Sequence, residues 1–303
     1  MKDLITIQDL SVKEINEIFA LTAKLKKNRF SKVLAGKTIA LIFQKPSNRT
    51  RVSFEVGCFQ LGGNSIYLSP GEINLGVRET IPDVAKTLSR YVDAIVLRTF
   101  EHKTIVEMSQ AASVPVINGL SDFSHPCQAL ADVYTVKEHL KTLKGKTLSY
   151  IGDGNNVCNS LLITCAKSGL NMNVGSPKGY EPAADIFQSA AEEAKKTGAL
   201  IKLFNDPQQA AENADILYTD VWASMGQEKE AEERKKIFKD FQINSGLMNV
   251  AKKGVLIMHC LPAHRGEEIT ADAIDSKNSV VFDQAENRMH VQKAILIKLL
   301  GEK

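Results

Sequence analysis

Short runs of β-branched and aliphatic residues alternate along this chain with longer segments whose apolar residues recur at helical spacing. The runs are "KTIALIF", "AIVLR", "VPVING", "TLSYIG", "MNVGS", "LIKLF", "DILYTD", "GVLIMHC" and "SVVFD". Strands that alternate with helices form parallel sheets, because each helix carries the chain back across the sheet to begin the next strand. The alternation therefore predicts an α/β protein built on doubly wound parallel sheets.

The length and one polar segment predict two domains. The chain has 303 residues, which is the length of about two domains. A polar stretch of helical character, residues 125–145, separates the first three runs from the later ones. We therefore expect one domain at residues 1–135, completed by a C-terminal helix at 285–303, and a second domain at 136–284.

Composition excludes several classes of partner. The net charge is +3, from 38 basic and 35 acidic residues, so neither a nucleic-acid partner nor a membrane surface is expected. The N-terminus lacks the apolar core of a signal peptide, and no run approaches the roughly 20 apolar residues that cross a bilayer, which predicts a cytoplasmic protein. Five cysteines without a C-x-x-C pair predict reduced thiols rather than a disulfide framework.

Unusual polar clusters follow many of the predicted strands. They are "QKPSNRTR", "RTF", "SHPCQ", "GDGNN", "DVWASMG" and "HCLPAHR". Ligands of open parallel sheets bind beyond the carboxyl ends of the strands, which is the edge where these clusters lie. Two domains that present such edges to each other predict an active site in the cleft between them.

The segment "PSNRTR", residues 46–51, opens a predicted helix directly after a strand. The free N–H groups and the positive dipole end of a helix start attract anions, and Arg49 can grip two oxygens at once. This favours a phosphate, although a capped helix with surface arginines has the same pattern. The chain has no G-x-x-x-x-G-K-[ST] motif, so a P-loop nucleotide site is not expected.

Three further positions carry groups that suit a carbonyl and an ammonium. His125 and Gln128 are three residues apart and share one side of a helical turn, where His125 can donate to an oxyanion and Gln128 can accept from an amide. Asp220 ends a predicted strand and can pair with an ammonium. In each case the alternative is the capping of an adjacent helix.

The segment "GDGNNV", residues 152–157, departs from the dinucleotide-binding fingerprint at Val157, where Gly or Ala is needed. No acidic residue ends the next predicted strand, so a nicotinamide dehydrogenase is a poor hypothesis. Asn156 either binds a polar substrate or caps its own helix. Arg288 is predicted in the first turn of the last helix, where a cation opposes the dipole, and this indicates an anionic partner.

A zinc site is not expected around residues 259–264. His259, Cys260 and His264 cluster there, but a structural zinc ion needs four ligands at known spacings. The charged run at 226–236 is expected to be a solvated loop or helix face.

In their order, these motifs resemble those of the carbamoyltransferases, and specifically of the ornithine carbamoyltransferases in the aspartate/ornithine carbamoyltransferase family. The resemblance covers residues 47–288 and runs through "SNRTR", "LRT", "HPCQ", "GDGNN", "DVWASMG", "HCLP" and "ENR". It implies transfer of the carbamoyl group of carbamoyl phosphate to the δ-amine of L-ornithine, giving L-citrulline and phosphate. It also implies a role in arginine biosynthesis, no cofactor or metal, and a homotrimer with shared active sites.

Carried over residue by residue, the resemblance implies a role for each motif. Carbamoyl phosphate would be bound by Ser47, Asn48, Arg49, Thr50, Asn74, Arg98, His125, Gln128, Cys260, Leu261 and Arg288. Ornithine would be bound by Asn156, Asp220, Ser224 and Met225. Catalysis would involve Arg98, His125, Cys260 and Asp220.

The resemblance leads to three further expectations. Asn48 stands where the family has Thr, so a hydroxyl contact is lost while backbone binding of phosphate remains. Asn74, in the loop "LSPGEINLG", is expected to reach the neighbouring subunit's site. The Leu261–Pro262 bond is expected to be cis, because the Leu261 carbonyl must turn into the site.

Two other functions remain to be weighed against this one. A non-catalytic amino-acid or phosphate sensor is disfavoured by the complete set of Arg49, Arg98, His125 and Gln128. Carbamoylation of aspartate is the nearest alternative reaction, and the segment "DVWASMG" favours ornithine instead.

Overall fold

The structure is a computed structural model that describes residues 1–223, 226 and 228–301. The chain divides into two compact units, unit 1 (Met1–Leu130 with Glu286–Lys303) and unit 2 (Ala131–Ala285). The predicted domain boundaries were 135/136 and 284/285, and the assignment of one substrate to each domain stays a prediction. The predicted α/β class with two parallel sheets is confirmed.

Unit 1 contains a parallel sheet with the strand order β2-β1-β3-β4. Its strands are β1 (Thr38–Phe43), β2 (Asn64–Leu68), β3 (Ala94–Arg98) and β4 (Val116–Leu120). The residues of β1 and β3 are almost all buried, as expected for parallel strands that are covered by helices on both faces. The order places β1 beside β3, and the chain continues outward from each of them in opposite directions.

Unit 2 contains a parallel sheet with the strand order β7-β6-β5-β8-β9. Its strands are β5 (Thr147–Ile151), β6 (Asn171–Gly175), β7 (Ile201–Phe204), β8 (Ile216–Thr219) and β9 (Leu256–His259). Here β5 lies beside β8, and the strand order again reverses direction between the two. Ligands of open α/β sheets bind at such a reversal, beyond the strand ends.

The described helices follow the strands in the alternation that the sequence predicts. They are α1 (Val12–Lys27), α2 (Asn48–Gln60), α3 (Pro70–Ile73), α4 (Ile81–Leu88), α5 (His102–Ala111), α6 (Pro126–Leu140), α7 (Asn156–Ser168), α8 (Ala184–Thr197), α9 (Pro207–Ala211), α10 (Ala231–Phe238), α11 (Ser245–Val250), α12 (Ala271–Ile274) and α13 (Val281–Leu300). Both unit boundaries fall at or inside a helix, α6 in one case and α13 in the other.

The strand predictions differ from the structure at two places, one predicted strand that does not form and one strand that was not predicted. The run "SVVFD" is not a strand, because Ser279 forms only an isolated bridge with Ile257 and α13 already begins at Val281. Val281 packs into the apolar core of unit 2 as a helical residue. Strand β2 was missed, because it is an edge strand with a polar start at Asn64 and is only partly buried.

The chemistry of the cysteines agrees with the sequence. All five cysteines are free thiols, four of them buried and Cys260 half-buried. None of the helices in the described part of the chain combines the length and apolar character that a membrane crossing requires.

Candidate functional site

The turn between β1 and α2 lies at the point where the strand order of unit 1 reverses. Ser47 is the N-cap of α2, and its hydroxyl oxygen accepts the Thr50 N–H at 3.4 Å. Asn48 is the first residue of the helix and is exposed, and Arg49 beside it is half-buried. The positive end of the α2 dipole therefore lies beside a cationic side chain, which favours an anionic ligand.

Arginine side chains from two other elements converge on Thr50. Its hydroxyl oxygen accepts a hydrogen bond from Arg288 Nη2 at 2.8 Å and another from Arg98 Nη1 at 3.4 Å. Arg98 and Arg288 are buried, with 8% and 5% of their surface exposed. Burial and the positive charges of Arg288 and Arg49 lower the pKa of Arg98 to about 10. Because buried like charges repel one another, binding an anion lowers the free energy of this arginine group.

Arg288 lies further along its helix than the sequence predicts. Since α13 begins at Val281, Arg288 is not in the first turn of the helix, and the argument from the helix dipole does not apply. Its place in the arginine group depends instead on the contact with Thr50.

His125 and Gln128 lie at the start of α6 and are almost completely buried. The His125 carbonyl accepts the Gln128 N–H at 3.1 Å, which holds the first turn of the helix. Burial lowers the pKa of His125 well below its ordinary value, and the charges of Arg288, Arg98 and Arg49 lower it further. The imidazole is therefore neutral at pH 7 and can donate one hydrogen bond without adding a charge.

Asn74 ends α3 on the surface in the left-handed conformation, with φ 41°. Asparagine adopts this conformation more readily than most residues. Gln44, which the sequence analysis did not single out, supports the same loop. Its amide oxygen accepts from the Thr99 hydroxyl, and its amide nitrogen donates to the Leu75 carbonyl at 3.4 Å. Gln44 thus connects the loop of Asn74 to the end of β3.

In unit 2, Asp220 follows β8 at the point where the strand order reverses. Asp220 is 7% exposed, and its carboxylate accepts a hydrogen bond at each oxygen. Asn155 Nδ2 donates to Oδ2 at 2.9 Å, and Cys260 Sγ donates to Oδ1 at 2.9 Å. Asn155 was missed by the sequence analysis, which considered its neighbour Asn156 as the cap. The structure has Asn155 as the N-cap of α7 and Asn156 as the half-buried first helical residue.

Cys260 begins the turn that follows β9. Burial raises the pKa of its thiol well above the ordinary value, and the neighbouring charge of Asp220 raises it further. Cys260 is therefore protonated at pH 7 and acts as a hydrogen-bond donor. The Leu261–Pro262 bond is cis, as predicted, and Leu261 has φ 58°.

The His259 ring is held by two hydrogen bonds inside unit 2. Nδ1 accepts the Leu261 N–H at 2.8 Å, so the ring proton is placed on Nε2, which lies 3.1 Å from Glu268 Oε1. Asp220, His259 and Cys260 have ligand atoms within 4.8 Å of one another, a spacing that suits a metal ion. Both ring nitrogens are already bonded, however, so this group has no free imidazole nitrogen to offer a metal.

Arg234 is a buried exception in the charged run 226–236, which was expected to be a solvated loop or helix face and whose other described charged residues are mostly exposed. Arg234 lies in α10 and is 6% exposed. Its guanidinium donates to the Trp222 carbonyl at 2.9 Å and lies 3.1 Å from both Asp153 Oδ2 and Glu230 Oε2. The charge pattern did not reveal this burial, because Asp153 is distant in sequence.

Gly154, the second glycine of "GDGNNV", is required by the packing of the chain itself. A Cβ at Gly154 would lie 2.2 Å from the backbone nitrogen of Pro182, so only glycine fits there. This contact accounts for the glycine without a bound dinucleotide. Ser224 and Met225, which were predicted to bind ornithine, lie outside the described residues.

Two family profiles match the chain. The aspartate/ornithine carbamoyltransferase carbamoyl-P binding domain matches residues 2–138, and the Asp/Orn binding domain of the same family matches residues 144–299. The ornithine carbamoyltransferase of Thermococcus kodakarensis is 53% identical over 305 residues, covering 99% of this chain and 96% of the relative. The anabolic ornithine carbamoyltransferase of Pyrococcus furiosus is also 53% identical, with the same coverage.

A solved structure agrees over the whole chain. The structure of ornithine carbamoyltransferase from Pyrococcus furiosus superposes with a TM-score of 0.97 at 52% identity, covering 100% of this chain and 98% of the other. Both family profiles match this chain, one relative shares more than half of its residues, and the motifs follow the family's order. The chain therefore belongs to the aspartate/ornithine carbamoyltransferase family.

Proposed function

We propose that this protein transfers the carbamoyl group of carbamoyl phosphate to the δ-amine of L-ornithine, giving L-citrulline and phosphate. The observation that carries the proposal is the arginine group around the Thr50 hydroxyl in unit 1, with the neutral His125 beside it. The two relatives named as ornithine carbamoyltransferases match the chain over 99% of its length and support the same reaction.

Carbamoyl phosphate is bound in this proposal by its two ends. The N-terminus of α2, with Ser47, Asn48, Arg49 and Thr50, binds the phosphate. Arg98 and Arg288 add two further cations that bond the same Thr50 hydroxyl. Gln128 and the backbone at Cys260 and Leu261 accept from the carbamoyl amide.

The carbamoyl carbonyl oxygen is bound by Arg98, Thr50 and His125. When the amine attacks, this oxygen gains negative charge, and donors already in place stabilise it without reorganising. A neutral His125 donates to the oxyanion, and the buried guanidinium of Arg98 supplies the positive charge. The tetrahedral intermediate then collapses and expels phosphate.

Ornithine is bound through its amino-acid end by Asn156, Asp220, Ser224 and Met225. Asp220 pairs with the α-ammonium and leaves the δ-amine free to attack. That amine must lose a proton, because an alkyl ammonium has a pKa of about 10.4. Cys260 is already protonated and Asp220 already accepts two hydrogen bonds, so these observations favour the departing phosphate as the proton acceptor.

We also propose a cytoplasmic homotrimer with shared sites that acts in arginine biosynthesis. The exposed face of α2 carries Val52, Val56 and Phe59 at helical spacing, with 47%, 37% and 71% of their surface exposed. An apolar stripe of this kind on unit 1 suits a subunit interface. The biosynthetic role is supported by the relative named as anabolic.

The reaction is tested with purified protein, carbamoyl phosphate and, in separate assays, ornithine, putrescine, N-acetylornithine or aspartate. A colorimetric assay for the ureido group measures the product. We expect ureido product with ornithine at a much higher kcat/KM than with the other three. Equal or greater use of aspartate or N-acetylornithine, or no product with any acceptor, would contradict the proposed function.

A further inference from the structure

Asn155 uses both ends of its side-chain amide. Its Oδ1 accepts the N–H of Val157 at 2.9 Å and of Cys158 at 3.1 Å, which caps the first turn of α7. The Tyr150 hydroxyl lies 3.3 Å from the same oxygen. Its Nδ2 donates to Asp220 Oδ2 at 2.9 Å. One side chain therefore connects a helix N-terminus to the carboxylate at the end of the neighbouring strand.

The helix determines which way this amide faces. A backbone N–H is only a donor, so the atom that two such groups approach must be the amide oxygen. Rotation of the amide by half a turn would point its NH₂ group at two donors and its oxygen at the Asp220 carboxylate. The cap of α7 thus forces the NH₂ group of Asn155 toward Asp220.

The topology of unit 2 explains why these two residues meet. Asn155 follows β5 and Asp220 follows β8, and these strands are paired side by side at the reversal of strand order. Cys260, which follows β9 on the other side of β8, donates to the second oxygen at 2.9 Å. Donors from both neighbouring strands therefore hold the Asp220 carboxylate in one orientation.

We propose that Asn155 is a positioning residue for ornithine, which directs the Asp220 carboxylate toward the α-ammonium. This inference rests on the proposed function and adds a residue to it. In this proposal Asn155 touches no substrate and acts through Asp220, while Asn156 contacts ornithine itself. Loss of the Asn155 contact weakens ornithine binding and leaves carbamoyl phosphate binding unchanged.

The alternative role is that Asn155 only caps α7, and substitutions that keep the cap separate the two roles. Serine is as good an N-cap as asparagine, but its shorter side chain does not extend to Asp220. For Asn155→Ser we expect an unfolding temperature close to that of the parent and an ornithine KM about tenfold higher, as for loss of a charge-assisted hydrogen bond. Carbamoyl phosphate affinity, measured by calorimetry without ornithine, should stay within about twofold of the parent value.

Asn155→Asp provides a readout that a structural cap would not change. Aspartate also caps well, but its second oxygen faces Asp220. Repulsion between the two carboxylates raises the pH at which one of them takes up a proton, so that both are ionised at high pH and one is protonated as the pH falls. We expect the ratio of the variant's ornithine KM to the parent's to be high at pH 8 and to fall as the pH is lowered to 6. The fall occurs because the protonated carboxyl again donates to Asp220.

The matched control is Asn244→Ser at the N-cap of α11, where Asn244 accepts the Leu247 N–H at 3.1 Å. This variant makes the same cap exchange away from Asp220 and should keep the parental ornithine KM. A parental KM for Asn155→Ser, or a KM ratio for Asn155→Asp that does not depend on pH, would overturn the positioning role. A parent enzyme that forms no citrulline would instead refute the proposed function, so the two failures are distinct.

Discussion

At the scale of single residues, the site chemistry of unit 1 comes from unfavourable interactions that a ligand can relieve. Arg98 and Arg288 are buried close together around Thr50, and Arg49 lies near enough for its charge to act on Arg98. Positive charges in a buried setting destabilise one another, and their free energy falls when a dianion enters. Burial, together with the same charges, lowers the pKa of His125 and keeps its imidazole neutral, so it acts as a hydrogen-bond donor and not as an acid.

We predict that Arg49→Ala weakens carbamoyl phosphate binding by about 10- to 100-fold in the absence of ornithine, because a hydrogen bond between charged groups is lost. Calorimetry on the purified variant measures the effect. The matched control is Arg51→Ala, since Arg51 is an exposed arginine that pairs with Glu55 at 3.0 Å. The carbamoyl phosphate affinity of Arg51→Ala should stay within about twofold of the parent value. Equal losses in the two variants would argue against a specific phosphate contact at Arg49.

At the scale of elements, each unit brings its polar groups together at the reversal of strand order. In unit 1 the turn after β1 meets the end of β3 through Thr50 and Arg98. In unit 2 the turn after β5 meets the residue after β8 through Asn155 and Asp220. The arrangement follows from strand pairing, because the carboxyl ends of neighbouring parallel strands open onto the same edge.

The turn after β5 also contains Asp153, whose burial raises its pKa to about 6 even though Arg234 lies 3.1 Å away. Because the folded-state pKa is above the ordinary aspartate value of 3.8, the folded protein binds this proton more tightly than the unfolded chain does. The resulting stabilisation is complete below about pH 4 and is lost as the pH rises through about 6.

We therefore predict that the stability of the parent relative to Asp153→Asn falls between pH 4 and pH 7, by up to about 3 kcal/mol. Urea unfolding of both proteins at each pH measures this difference, and the comparison cancels the titration of groups that do not interact with Asp153. A difference that stays constant or rises with pH would show that the pair with Arg234 outweighs the burial of Asp153.

At the scale of the whole molecule, the proposed trimer assigns a role to Asn74, which ends a short helix on the surface of unit 1. If Asn74 completes a neighbour's site, an Asn74→Ala chain and an Arg98→Ala chain are each inactive as pure trimers. A mixed trimer restores a site wherever a chain with intact Arg98 meets a neighbour with intact Asn74.

We predict that mixing the two variants in equal amounts, with subunit exchange, restores about a quarter of the parental activity. The fraction follows because each of the two required chains occupies its position in half of the random arrangements. Exchange is verified with differently tagged chains, and each variant mixed with itself is the control. Confirmed exchange without recovery of activity would show that each subunit's site is self-contained.

The sequence by itself determined the local features of this protein. Strand and helix alternation, the cationic start of α2 and the free cysteines depend on short-range periodicity and residue chemistry, so they are visible in the chain order. The motifs in their order also indicated the family, and the cis bond at Leu261–Pro262 followed from that resemblance.

Only the tertiary structure decided which distant side chains meet. Asn155 rather than Asn156 caps α7 and contacts Asp220, and Arg234 is buried against Asp153 although its neighbours are charged. The start of α13 was also misplaced, because its first residues pack into the unit 2 core as a helix. These features depend on strand order and on contacts between residues far apart in sequence, and local periodicity contains no information about either.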